Sequence, residues 1–167
     1  GGPGGRVHRK RGREVSKQHG ALVGRETVFR LGLGLLGLSL LPVGAWALFA
    51  PMSFQSDFPG MGRQWLPPLG PYNEHLITDV GATFLALTGL MLLAALWLTT
   101  RLVQAALVAW LIYSVPHLYF HLNNLAVYNP SDQWINGVAL TLQVVLGALL
   151  LALTLRSPTK DPTEVSR

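Results

Sequence analysis

Four apolar segments, each about long enough to cross a bilayer, constrain this chain more than any other feature. They cover approximately residues 28–50, 76–98, 102–122 and 135–155. A helix needs about 20 apolar residues to cross roughly 30 Å of hydrocarbon. Lipid offers no partner to backbone polar groups, so such segments cross it as helices with internal hydrogen bonds. The sequence therefore predicts an all-α fold, an integral membrane four-helix bundle.

The composition agrees with a membrane protein. Half of the 167 residues are hydrophobic and only 13% are charged, whereas a soluble domain carries about 25% charged residues. The length suits one domain. The absence of cysteine excludes disulfides, thiolate metal sites and cysteine nucleophiles.

The basic residues predict how the chain crosses the membrane. Eight lie before or at the start of the first apolar segment, and three more follow the fourth segment. Arg101 lies between the second and third segments, and Arg63 is the one basic residue on the opposite side. Because cytoplasmic loops are enriched in Lys and Arg, we expect a multi-pass protein of the cell membrane with both termini in the cytoplasm.

The two ends of the chain are predicted to be tails outside the bundle. Residues 1–27 are basic and rich in glycine, which favours a disordered cytoplasmic tail, and residues 156–167 form a second tail. The basic run Arg9-Lys10-Arg11 could contact nucleic acid or anionic lipid. Its position beside a membrane span favours lipid, so the lipid bilayer is the expected partner and nucleic acid is not.

A cluster of ionisable residues marks the candidate site. His75 and Asp79 lie one helical turn apart near the start of the second apolar segment, and His117 and His121 lie one turn apart near the end of the third. If the two helices are antiparallel, a rise of about 1.5 Å per residue places Asp79 and His121 level with each other, each about 30 Å from the turn between the helices. Ionisable groups in membrane helices usually mark functional sites.

Several chemistries remain open for this cluster. Imidazole and carboxylate groups from facing helices can hold a transition metal, with Glu74 and Tyr113 as supporting residues around the ligands. A haem would take one histidine from each of two helices. Without a metal, the same groups can exchange protons with a quinone-like, lipid-soluble substrate. In a purely structural interpretation these side chains anchor the helices at the membrane surface.

The longest connection between spans, residues 51–73, contains five prolines and four aromatic residues. This composition argues against regular structure. Aromatic side chains favour the headgroup region, so an interfacial anchoring loop is the favoured interpretation. The alternative is a lid folded over the mouth of the bundle.

Several short motifs resemble those of small four-span membrane proteins of bacteria. The stretch Tyr72-Asn73-Glu74-His75-Leu76 leads into Asp79-Val80-Gly81, and Pro116-His117 is followed by His121. In size and span number, residues 28–155 are loosely similar to the DoxX-like group. The resemblance implies a bacterial inner membrane and a redox or accessory role, but no catalytic motif matches residue by residue.

A second functional hypothesis needs no catalytic site. The chain can serve as an accessory or assembly subunit that packs against larger membrane proteins, or against a second copy of itself, through the small residues of its first two spans.

Overall fold

The protein is a bundle of long helices. The computed structural model describes the backbone of residues 4–156 and the side chains of residues 23–156. Within this range the helices are α1 (Gly4–Phe49), α2 (Pro51–Asp57), α3 (Glu74–Trp97), α4 (Thr100–Asn123) and α5 (Pro130–Leu155). Four segments are long and apolar enough to span a membrane: Val23–Phe49, Glu74–Trp97, Thr100–Asn123 and Pro130–Leu155. The predicted all-α fold with four candidate spans is confirmed.

The connections define two ends of the bundle. At one end, residues 50–73 join α1 to α3, and residues 124–129 join α4 to α5. The first of these connections contains α2 and a small hairpin, β1 (Pro59–Gly60) paired with β2 (Arg63–Gln64). We call this the loop end. At the opposite end, the terminal end, α3 stops at Leu98 in the left-handed conformation and α4 begins two residues later.

Glycines allow α1 and α3 to pack closely. A Cβ atom added to Gly81 would lie 2.5 Å from the backbone nitrogen of Leu48 and 2.9 Å from the carbonyl oxygen of Gly44. A Cβ atom on Gly44 would lie 2.9 Å from that of Phe84. Small residues let membrane helices approach to backbone contact. This contact therefore fixes which face of α3 points into the bundle.

Two arginines of α1 cap other helices at the terminal end. The Arg30 guanidinium donates hydrogen bonds to the carbonyl oxygens of Ala95 and Leu96 at 2.7 and 3.0 Å, at the end of α3. Arg25 donates to the Leu153 carbonyl oxygen at 3.0 Å, near the end of α5. The last carbonyls of a helix lack partners within it and carry partial negative charge. The two arginines thus tie α3 and α5 to α1.

Three features differ from the sequence-based expectation. Helix α1 begins at Gly4 and includes most of the predicted disordered segment 1–27. That segment contains Arg, Lys, Glu and Gln, which favour helix, and it extends an existing helix without a new nucleation step. Residues 1–3 and 157–167 of the two predicted tails lie outside the described residues.

The other two differences have local causes. Helix α5 begins at Pro130, before the predicted start at residue 135, because Asn129 caps it and proline suits the first helical position. The predicted irregular connection contains α2, which also begins with a proline, Pro51.

Candidate functional site

Part of the first connection forms a lid over the loop end of the bundle. We call residues 58–66 the lid. Its aromatic rings continue a packed series that starts at Phe54: Phe54 and Phe58 lie 4.9 Å apart between ring centroids, and Phe58 and Trp65 lie 5.8 Å apart. Trp65 then contacts Tyr128 at 6.2 Å. The connection is therefore a folded cover, which corresponds to the lid alternative of the sequence analysis.

Polar contacts fasten the lid to the start of α5. Arg63 donates a hydrogen bond to the carboxylate of Asp132, which is almost buried. The same carboxylate accepts a hydrogen bond from the Asn129 side chain at 2.7 Å. The Tyr128 hydroxyl donates to the Trp65 carbonyl oxygen at 3.1 Å. Burial, and then the negative charge of Asp132, raise the pKa of the Tyr128 hydroxyl, so it stays a donor at neutral pH.

Beneath the lid, a cavity of about 220 Å³ lies among α1, α3, α4 and α5. Most of its lining is aliphatic or aromatic, and a few polar side chains lie among these. The lining residues are Ser39, Leu40, Val43, Phe54, Phe58, Trp65, Leu66, Val80, Phe84, Tyr113, His117, His121, Asn136, Ala139, Leu140 and Gln143.

Three polar atoms of lining residues are buried without a hydrogen-bond partner among the residues that the structure describes. They are Nε1 of Trp65, Nδ1 of His121 and Oδ1 of Asn136. His121 is 9% exposed and Asn136 is 2% exposed. Buried polar groups in proteins are nearly always hydrogen-bonded, and each exception calls for an explanation such as strain, a functional role, or a bound water or ion. The three residues come from the lid, α4 and α5, and all of them line the cavity.

The two later histidines belong to the inner face of α4. Trp110, Ser114 and His121 are buried on this face. His117 lies between the last two, so the four residues follow the three- and four-residue spacing that places side chains on one side of a helix. The His117 and His121 rings lie 4.6 Å apart, and Tyr113 stacks on His117 at 5.2 Å. Tyr113, predicted to support the site, therefore reaches His117 through ring stacking.

The two earlier residues form a separate pair on the outside of α3. The Nε2 atom of His75 lies 3.3 Å from a carboxylate oxygen of Asp79, and the side chains are 87% and 63% exposed. The buried face of α3 includes Ile77 and Gly81. His75 lies two residues before Ile77, and Asp79 lies two residues before Gly81. Two residues correspond to a rotation of about 200° around the helix axis, so each side chain lies nearly opposite the buried face. They point away from the cavity.

The structure thus separates the two pairs that the sequence analysis placed in one site. Within the described part of the chain, no three His, Asp or Glu side chains are close enough to hold one metal ion. Glu74 is also exposed. It lies near Tyr72, whose pKa is raised by partial desolvation and then by the charge of Glu74 and a hydrogen bond to it. Glu74 does not line the cavity.

Sequence reasoning missed several residues of this site. Asn136 and Gln143 are polar residues within a very apolar helix. This position could have identified them as site residues, because polar groups inside spans tend to face the protein interior. Trp65 and Arg63 lie in a connection whose folded path has no local pattern in the sequence. Asp132 lies before the predicted start of the fourth span at residue 135, and no sequence pattern indicated its contact with Arg63.

Comparison of this chain with protein-family models, curated proteins and solved structures finds no match.

Proposed function

We propose that this chain is a multi-pass protein of the cell membrane that binds a small, lipid-soluble molecule in the cavity beneath the lid. The molecule carries a flat ring with oxygen substituents, as quinones and phenols do. The loop end faces the outside of the cell and both termini face the cytoplasm, in agreement with the distribution of basic residues. The observation that carries the proposal is that three residues lining one cavity, Trp65, His121 and Asn136, each bury a polar atom without a partner among the described residues.

The size of the cavity favours a single ring. A dry cavity of roughly 150 Å³ engineered in another protein takes up benzene, and pockets for drug-sized ligands begin at about 300 Å³. At about 220 Å³, this cavity suits one substituted ring and is small for a haem. The separation of the His75/Asp79 pair from the His117/His121 pair also favours an organic ligand over a shared metal ion.

The chemistry of the lining favours oxygen substituents on that ring. The indole Nε1 of Trp65 can only donate a hydrogen bond, which suits a carbonyl or hydroxyl oxygen. The Oδ1 atom of Asn136 can only accept, and Nδ1 of His121 can do either according to its tautomer. The rings of Phe58, Phe84 and Tyr113 line the same space and can pack against a flat ligand in stacked or edge-on geometry.

A binding titration tests this proposal. Tetramethyl-benzoquinone is added to the full chain in lipid nanodiscs, and quenching of tryptophan fluorescence is followed, since Trp65 lines the cavity. We expect saturable quenching in the wild type. His121→Ala should weaken binding about tenfold, the effect of losing about 1.4 kcal/mol. The matched control His75→Ala, on the exposed face of α3, should leave binding unchanged. Linear quenching that is identical in all three proteins would refute the proposal.

One observation favours the second function, that of an accessory subunit in a larger membrane complex. His75 and Asp79 are ionisable residues within a candidate span, yet they face away from the bundle. Ionisable residues in spans usually face protein or water, so a partner protein covering this face would satisfy them. Site-specific cross-linking from position 75 tests this. A discrete cross-linked protein supports the accessory function, and cross-links to lipid alone oppose it.

A further inference from the structure

The cavity has a second boundary besides the lid, where α1 and α5 face each other. At the terminal end these two helices touch, since a Cβ atom added to Gly32 would lie 2.7 Å from a side-chain carbon of Leu150. Because the helices are antiparallel, moving seven residues toward the loop end from each position reaches Ser39 and Gln143. These lie about 10 Å from the Gly32–Leu150 contact. Both line the cavity.

One further turn toward the loop end brings Val43 and Ala139 level with each other, about 16 Å from the same contact. They also line the cavity, one from each helix. The helices therefore lie in contact near the terminal end and enclose the cavity between them near the loop end. We call the space between Ser39, Val43, Ala139 and Gln143 the α1–α5 gap.

The α1–α5 gap is the thin side of the cavity. Ala139 is the one exposed residue among those that line the cavity. Ser39, Val43 and Gln143 are partly exposed. The Ser39 hydroxyl donates to the Leu36 carbonyl oxygen at 2.7 Å within its own helix, so it presents little polarity to the gap. By contrast, the lid side is fastened by the Arg63–Asp132 pair.

From this arrangement we infer that the ligand has an apolar tail, and that the tail lies in the α1–α5 gap and extends into the surrounding lipid. This inference rests on the proposed function, and it adds a substrate class, a ring on a hydrocarbon chain, and a lateral route of entry from the bilayer. The small side chain of Ala139 leaves room for an alkyl chain beside it. The polar ring end then reaches His121 and Asn136, and the tail packs against Val43 and Ala139 on its way to the lipid.

Photo-cross-linking in phosphatidylcholine vesicles tests the inference. The probe is trimethyl-benzoquinone with a decyl tail that carries a diazirine close to the ring, and tetramethyl-benzoquinone, which has no tail, is the competitor. We expect competitor-sensitive labels on residues 39–43 of α1 and 139–143 of α5. Ala139→Trp should reduce this labelling about tenfold, since a tail that no longer fits loses its packing contacts. The control Ala148→Trp, also at an exposed alanine of α5, should change it less than about twofold.

The outcomes separate this inference from the proposed function. If tetramethyl-benzoquinone binds saturably but the competitor-sensitive labels fall on the lid or on α3, the ligand site stands and the tail route is overturned. The same conclusion follows if Ala139→Trp leaves the labelling unchanged. If the competitor neither binds nor reduces any label, both the proposed function and this inference are overturned.

Discussion

Arg63 of the lid pairs with Asp132 in the first turn of α5, across the loop end of the bundle. The carboxylate of Asp132 is almost buried, and it is also bonded to Asn129, the residue that caps α5. Arg63 of the lid thus contacts the first turn of α5. Later residues of α5 line the cavity. The pair joins the cover of the cavity to one of its walls.

Removing the arginine should loosen the lid. In Arg63→Gln, a buried carboxylate loses its charged partner, which costs about 1–3 kcal/mol. We expect amide hydrogen exchange in residues 58–66 to speed up by about tenfold, which corresponds to about 1.4 kcal/mol. The control is Arg101→Gln, at an exposed arginine near the opposite end of the bundle. Equal exchange in wild type and Arg63→Gln would show that the pair does not hold the lid.

High pH should also open the lid. The pKa of Tyr128 is raised in the folded protein above its ordinary value of about 10. Above that pH, the docked lid keeps a proton that an open lid has lost, so the stability of the docked state falls as the pH rises. A spin label at Gln64→Cys, an exposed lid position, should become more mobile above about pH 10.

The control for this titration is Tyr128→Phe, which removes the titrating hydroxyl and its hydrogen bond to Trp65. In this variant, we expect the spin label to be more mobile at neutral pH than it is in the protein that retains Tyr128. Its mobility should change little as the pH is raised further. The same rise in mobility with pH in both proteins would assign the transition to another group.

The contact between α1 and α3 should tolerate no added methyl group. In Gly81→Ala, the new Cβ atom meets the backbone of Leu48 at 2.5 Å, so the helices must separate. We expect the free energy of unfolding to fall by about 1–3 kcal/mol, measured by circular dichroism during titration with a denaturing detergent.

Gly89→Ala in the same helix is the matched control. Among the described residues, nothing lies within 4 Å of a Cβ atom added there, and alanine favours helix over glycine by about 1 kcal/mol. This variant should be as stable as the wild type or more so. Equal destabilisation of both variants would mean that the close approach at Gly81 is not the cause.

The exposed pair on α3 should contribute little to stability and nothing to the cavity. Exposed ion pairs are worth about 0–1 kcal/mol, and His75 and Asp79 are both largely exposed. We therefore expect Asp79→Asn to change neither the unfolding transition nor the affinity for tetramethyl-benzoquinone. A large loss of affinity in this variant would restore the single four-residue site of the sequence analysis.

The membrane-spanning segments and part of the candidate site could be predicted from the sequence. Length and apolar composition predicted four helices, and the four-residue spacing predicted the contact between His117 and His121. It could not predict the rotation of α3, because that helix has small or polar residues on more than one face. Gly81 settles the rotation by packing against Gly44 of α1. This contact turns His75 and Asp79 outward.

The sequence suggested a lid as one alternative, but it could not predict how the lid is attached. Its attachment depends on contacts between distant parts of the chain, Arg63 with Asp132 and Trp65 with Tyr128. No local periodicity encodes such pairs. The small faces of α1 and α3, which the sequence analysis offered to partner proteins, pack against each other within this chain.

The most direct test of the ligand cavity compares the melting temperatures of the wild type and Asn136→Leu, each with and without tetramethyl-hydroquinone, whose hydroxyl groups can donate to the Asn136 side-chain oxygen. Asn136 buries an acceptor without a partner among the described residues, and replacing such a group with an apolar one of similar shape is neutral or stabilising. We predict a variant that melts at the same or a higher temperature than the wild type and is not stabilised by the hydroquinone, whereas the wild type is stabilised. An equal hydroquinone-dependent rise in both proteins would contradict the account.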